Sequence, residues 1–105
     1  MKKRFDISEE KCFTDWKDIA KLDKFADIVV VATQDSMHYE PALAFIDKKY
    51  DLLLEKPMAP TPKECMDIVS AAKKNNVKVL VCHVLRYTPF YMTLKKILDD
   101  GVIER

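Results

Sequence analysis

Lys56 closes a short apolar run, Asp51-Leu-Leu-Leu-Glu55-Lys56-Pro57, in which three leucines lead straight into a charged turn. A buried parallel strand has this continuous apolar character, and open α/β sheets bind ligands just beyond the carboxyl ends of their strands. A lysine at that point is placed for chemistry on a bound ligand. Pro57 stops the ladder and stiffens the turn that carries it. Two further segments have the same strand-then-polar form: Ala32-Thr33-Gln34 after one apolar run, and Cys82-His83 through Arg86-Tyr87 after another. Parallel strands bring their carboxyl ends to one rim. That rim would gather Lys56, Arg86, His38, His83, Thr33 and Tyr87, a mixture suited to an anionic, hydroxylated ligand and to proton transfer.

Each of these residues also has a plainer reading. Lys56 taken from its tripeptide alone reads as a solvated turn lysine, and His38 as a polar residue at a helix start. Arg86 and Tyr87 before Thr88-Pro89 could form an ordinary loop. His83 adjoins Cys82, but neighbouring strand residues point to opposite faces, so the pair is not read as a metal site. Cys12, Cys65 and Cys82 are an odd number without CxxC or Cys/His spacing, which predicts buried, reduced thiols.

The elements that would position the rim alternate along the chain. Lys11–Thr14 could be a short strand or edge piece. Asp15–Leu22 places Trp16, Ile19 and Ala20 at helical spacing. Asp27–Thr33 is β-branched and continuously apolar, which predicts a strand covered on both faces. Gln34-Asp-Ser36 supplies a loop and an N-cap for a helix of about ten residues, with Pro41 near its start. Tyr50–Leu54 is the next strand. Thr61-Pro-Lys-Glu64 has the pattern of a helix start, with Cys65, Ile68, Val69 and Ala72 on one face and Asn75-Asn76 at the end. Val77–Cys82 is a third strand. Thr88-Pro89 opens a last helix with Phe90, Leu94, Ile97 and Leu98 along one side, closed by Gly101. Strands separated by helices of this length imply right-handed βαβ units and a parallel sheet.

At 105 residues, the chain is sized for one compact domain, residues 1–105, with 49% apolar and 33% charged residues. A net charge of +1 provides no basic field for a phosphate backbone, which argues against a nucleic-acid partner. Ile28–Ala32 and Val79–Cys82 are too short to cross a bilayer, so no membrane role is expected. Met1-Lys-Lys-Arg is followed by no apolar signal core, which predicts the cytoplasm.

Ala26-Asp-Ile-Val-Val-Val-Ala-Thr33 with His38 five residues on, Leu54-Glu-Lys-Pro57, and Val81-Cys-His-Val-Leu-Arg-Tyr-Thr-Pro-Phe90 form a set in order and spacing. The set resembles the nucleotide-binding domain of the glucose–fructose oxidoreductase / inositol dehydrogenase (Gfo/Idh/MocA-like) family, from about Cys12 to Arg105. The resemblance implies an α/β fold: an incomplete Rossmann-type, doubly wound parallel sheet of three to four strands with flanking helices. It implies NAD or NADP as cofactor and a sugar, cyclitol or other polyol whose hydroxyl is oxidised. Lys56 then corresponds to the catalytic lysine beside nicotinamide and substrate hydroxyl, stabilising a developing alkoxide or assisting proton removal. Ala32, Thr33, His38, Glu55, Lys56, Pro57 and Arg86 correspond to the cofactor-binding positions, and no metal is implied.

One count sets a limit. The chain holds a single glycine, Gly101, where average usage would give roughly seven. It therefore cannot contain the Gly-x-Gly-x-x-Gly loop that lets backbone approach a pyrophosphate. The expectation is a piece comprising the later βα units, without the second, substrate-binding domain and inactive by itself. The alternative reading is a non-catalytic Rossmann-like interaction module. In the strand order 3-2-1-4-5-6, Ile28–Ala32 would lie against an absent strand, leaving an apolar edge and predicting a homo-oligomer formed through residues 28–32.

Overall fold

A computed structural model of the chain describes residues 5–102; the basic Met1–Arg4 segment and residues 103–105, the last part of the predicted domain, lie outside the described residues. Among the described residues, four α-helices and three strands alternate: α1 (Trp16–Lys21), β1 (Ile28–Val31), α2 (Tyr39–Asp47), β2 (Asp51–Glu55), α3 (Pro62–Asn75), β3 (Val79–Cys82) and α4 (Pro89–Asp99). The strands form one parallel sheet in the order β1-β2-β3, with Val31 opposite Leu54 and Leu54 opposite Val81. This is the parallel α/β sheet that the strand–helix alternation predicts and the Rossmann-type arrangement that the resemblance implies, and it brings all three carboxyl ends to one rim.

The helix starts follow local chemistry. Asp15 caps α1 by accepting a hydrogen bond from the Lys17 amide at 2.9 Å. Thr61 and Glu64 form a reciprocal capping box at the start of α3, with Pro62 in its first turn. Gln34-Asp-Ser36 behaves differently from expectation and contributes no side-chain cap. Asp35–Met37 is instead a 3-10 turn, and His38 stands at the N-cap of α2. The helix ends are set without glycine at two places. Lys49 and Asn76 both adopt left-handed backbone, with φ of 65° and 54°, at the ends of α2 and α3. Gly101, at φ 71°, ends α4 in a Schellman arrangement in which Val102 N–H donates to Ile97 and Gly101 N–H to Leu98.

The core lies on one side of the sheet. Val31, Leu52 and Leu54 pack against Ala42, Phe45 and Ile46 of α2 and Ile68 and Ala72 of α3, with Tyr50 closing the end. Trp16 joins from α1, its ring centroid 6.4 Å from that of Phe45. The opposite face corrects the expectation that β1 is covered twice. Ile28, Val30 and Leu80 are 60%, 62% and 63% exposed, because no described helix crosses that side. Continuous apolarity marks a strand meant for two covers, whereas the described residues supply one.

Two smaller expectations also change. Lys11–Thr14 is not a strand; a 3-10 turn at Glu9–Lys11 runs into extended chain instead. The apolar side of α4 exists but is uncovered, Phe90 being largely exposed, since the helix packs mainly on the 3-10 turn Val84–Tyr87. The projecting helix contributes to a radius of gyration of 17.5 Å, against about 13 Å for a compact chain of this length. Cys12, Cys65 and Cys82 are free thiols and half-buried rather than buried.

Candidate functional site at the carboxyl rim of the sheet

β1 runs directly into Ala32 and Thr33, both exposed. The Thr33 hydroxyl donates to the Met37 carbonyl at 3.0 Å, which closes the loop between β1 and α2. β2 ends in Glu55, whose side chain lies on the uncovered face, and its carboxylate accepts the Lys56 amide at 3.3 Å. Lys56 and Pro57 follow on the exposed turn, and the Lys56-Pro57 peptide is cis. Past β3, His83 leads into the 3-10 turn Val84–Tyr87, held by hydrogen bonds from Arg86 N–H to the His83 carbonyl and from Thr88 N–H to Leu85.

The rim brings some of the predicted residues together and separates others. Lys56 and Arg86, from the ends of β2 and β3, line one hollow of about 220 Å³ with His83, Val84 and Leu85. Its lining holds a lysine, an arginine, one imidazole and an apolar floor, with no carboxylate. Ala32 and Thr33 instead line a groove beside the free edge of β1, with Trp16, Phe25 and Tyr50. His38 is enclosed between the two regions and fully buried; its Nδ1 lies 2.7 Å from the Pro57 carbonyl and its Nε2 3.1 Å from the Thr33 carbonyl. His83 belongs to the hollow although the resemblance does not single it out. Its place directly after a strand end was the signal.

A hollow of this size is smaller than the usual 300–1,000 Å³ of a complete ligand site, so it fits one end of a larger ligand. Two cations and an imidazole suit a polar end of a larger ligand such as a dinucleotide. They do not supply the pyrophosphate end. The chain's one glycine ends α4, and no glycine-rich turn precedes any helix. Among the described residues, no group of three or more His, Cys, Asp or Glu side chains could hold a metal ion, and no helix is long and apolar enough to cross a membrane.

Comparison with known proteins gives this rim a context. The family described as "Oxidoreductase family, NAD-binding Rossmann fold" matches residues 1–83. The inositol 2-dehydrogenase/D-chiro-inositol 3-dehydrogenase of Lactiplantibacillus plantarum is 35% identical over 92 residues, 87% of this chain and 26% of the relative. Oxidoreductase P35 of Formosa agariphila is 41% identical over 75 residues, 71% of this chain and 23% of the relative. The crystal structure of the WlbA dehydrogenase from Bordetella pertussis, in complex with NADH and UDP-GlcNAcA, superposes with a TM-score of 0.76 at 25% identity, covering 89% of this chain and 27% of that one. The chain thus spans about a quarter of the length of the curated relatives it matches.

Proposed function

The chain belongs to the Gfo/Idh/MocA family of NAD-binding oxidoreductases with a Rossmann fold, and from that footing we propose that it carries the nicotinamide-side rim of an enzyme oxidising a hydroxyl of a sugar, cyclitol or related polyol in the cytoplasm. One observation carries the proposal: the ends of β2 and β3 place Lys56 and Arg86 on a single hollow with no carboxylate lining it. Oxidising a carbinol removes a proton from oxygen and a hydride from carbon. NAD or NADP, when bound, accepts the hydride.

The chain's own residues deal with the charge. The Lys56 ammonium stabilises the alkoxide that forms as the hydroxyl proton leaves, and its exposed position lets that proton pass directly to water. Arg86 adds a second positive charge on the same wall. Ala32, Thr33, Glu55 and Pro57 shape the cofactor's approach, and His38 contributes through the backbone it contacts. Without a glycine-rich loop, this chain by itself binds the dinucleotide weakly and turns over nothing. The test is a fluorescence titration of NADH with the chain. Weak binding that Lys56→Ala reduces supports the proposal; binding indifferent to Lys56→Ala overturns it.

A second reading, a non-catalytic module that self-associates, is favoured by the free edge and open face of β1. The chain exposes 8535 Å², whereas a compact monomer of its mass exposes roughly 6,100 Å². That excess is larger than the ~800 Å² per partner a standard interface needs. A homo-oligomer through residues 28–32 would cover part of it, and a defined oligomer with no NADH binding would favour the module over the enzyme.

A further inference from the structure

We propose that His38 is the positioning residue for Lys56, holding the Glu55-Lys56-Pro57 turn at a fixed distance from the end of β1. The inference rests on the reading of Lys56 as the acting cation of the rim. Among the described residues, no hydrogen bond or ion pair holds the Lys56 ammonium, so its place depends on the backbone that carries it. The β1–β2 ladder ends at the Val31–Leu54 pair, two residues short of Lys56. Beyond that point, the β1 end and the lysine turn are spanned by the His38 ring, which faces the Thr33 carbonyl on one side and the Pro57 carbonyl on the other.

The ring can serve as a fixed post because of what stands behind it. The His38 carbonyl accepts the Ala42 amide at 3.1 Å in the first turn of α2, whose Ala42, Phe45 and Ile46 are buried in the core. Position therefore passes from the core to α2, to the imidazole, to the Pro57 carbonyl and so to Lys56. Both facing groups are carbonyls and can only accept. A ring nitrogen holds a carbonyl only where it carries the hydrogen. The shorter contact, from Nδ1 to Pro57 at 2.7 Å, is the bond assigned to holding the turn.

That assignment separates positioning from simple support, because two amide side chains imitate different ring nitrogens. Asparagine puts an N–H near the place of Nδ1, and glutamine near that of Nε2. Lysines of the full chain are reductively methylated with ¹³C, and the Lys56 signal is assigned with Lys56→Arg. His38→Asn is expected to keep that signal, and its NADH-dependent shift, close to wild type. His38→Gln and His38→Ala are expected to move the signal and abolish the shift. A merely structural role would make Asn and Gln equivalent, and that result, or an unmoved signal in folded His38→Ala, overturns the proposal. The wild-type chain supplies a measurement that needs no variant: a through-hydrogen-bond coupling between His38 ¹⁵Nδ1 and the Pro57 carbonyl carbon is expected, and its absence overturns the assignment. If NADH leaves Lys56 unmoved in wild type while this coupling and the Asn/Gln difference are present, the oxidoreductase reading of the chain fails and the positioning of Lys56 by His38 stands.

Discussion

The Tyr39 hydroxyl of α2 donates to the Asp67 carboxylate of α3 at 3.0 Å, on the same oxygen that accepts from the Lys63 ammonium at 2.8 Å. The lysine bond, then the tyrosine bond, hold the Asp67 carboxyl below its ordinary range, and Asp67 in turn raises both Tyr39 and Lys63. A carboxyl lowered on folding stabilises above its unfolded value and loses that contribution as pH falls. A phenol or ammonium raised on folding stabilises below its unfolded value and loses it as pH rises. The link is therefore at full strength from about pH 4 to pH 10. Thermal unfolding followed across pH should show wild type losing stability below about pH 4 more steeply than Asp67→Asn. Parallel curves on that limb would contradict the link.

Leu54 is fully buried at the centre of the core and directly precedes the Glu-Lys-Pro turn. Leu54→Ala removes packing against both α2 and α3 and should cost about 2–5 kcal/mol in urea unfolding. That is a large share of the stability of a small domain with one covered sheet face. A cost below about 1 kcal/mol would mean that the core is looser than these contacts imply.

The uncovered face of β1 should make the chain associate. Light scattering coupled to size exclusion is expected to show a mass above the 12.2 kDa monomer, reduced by Val30→Lys, which puts a charge on the open face. A monomer at all concentrations would contradict the interface through residues 28–32.

Much of this fold was legible because the chain's local signals agree with one another. The Thr61-Pro-Lys-Glu64 start of α3, the β-branched run of β1 and the Asn76 end of α3 are each determined within a few residues. The carboxyl rim followed from parallel pairing, and Lys56 and Arg86 do share a hollow there. What was not legible depends on tertiary company. Ile28 and Val30 look like core in sequence, since a strand's apolarity cannot say whether a second layer is present. His38 looked like a polar helix start, since only the meeting of two strand ends encloses it. Thr33 stands apart from the Lys56 hollow because its loop turns toward α2, drawn by its bond to Met37.

The nicotinamide end of the cofactor is expected to meet this chain at the Lys56 rim. The direct measurement is an amide-resolved magnetic-resonance titration of the isotope-labelled chain with NADH, at a concentration suited to weak binding of about 1 mM. Shifts confined to Ala32–Gln34, Glu55–Lys56 and His83–Tyr87, and lost in Lys56→Ala, are the predicted result. Shifts at the opposite end of the sheet, around Asn76–Lys78, or no shifts at all, would contradict it.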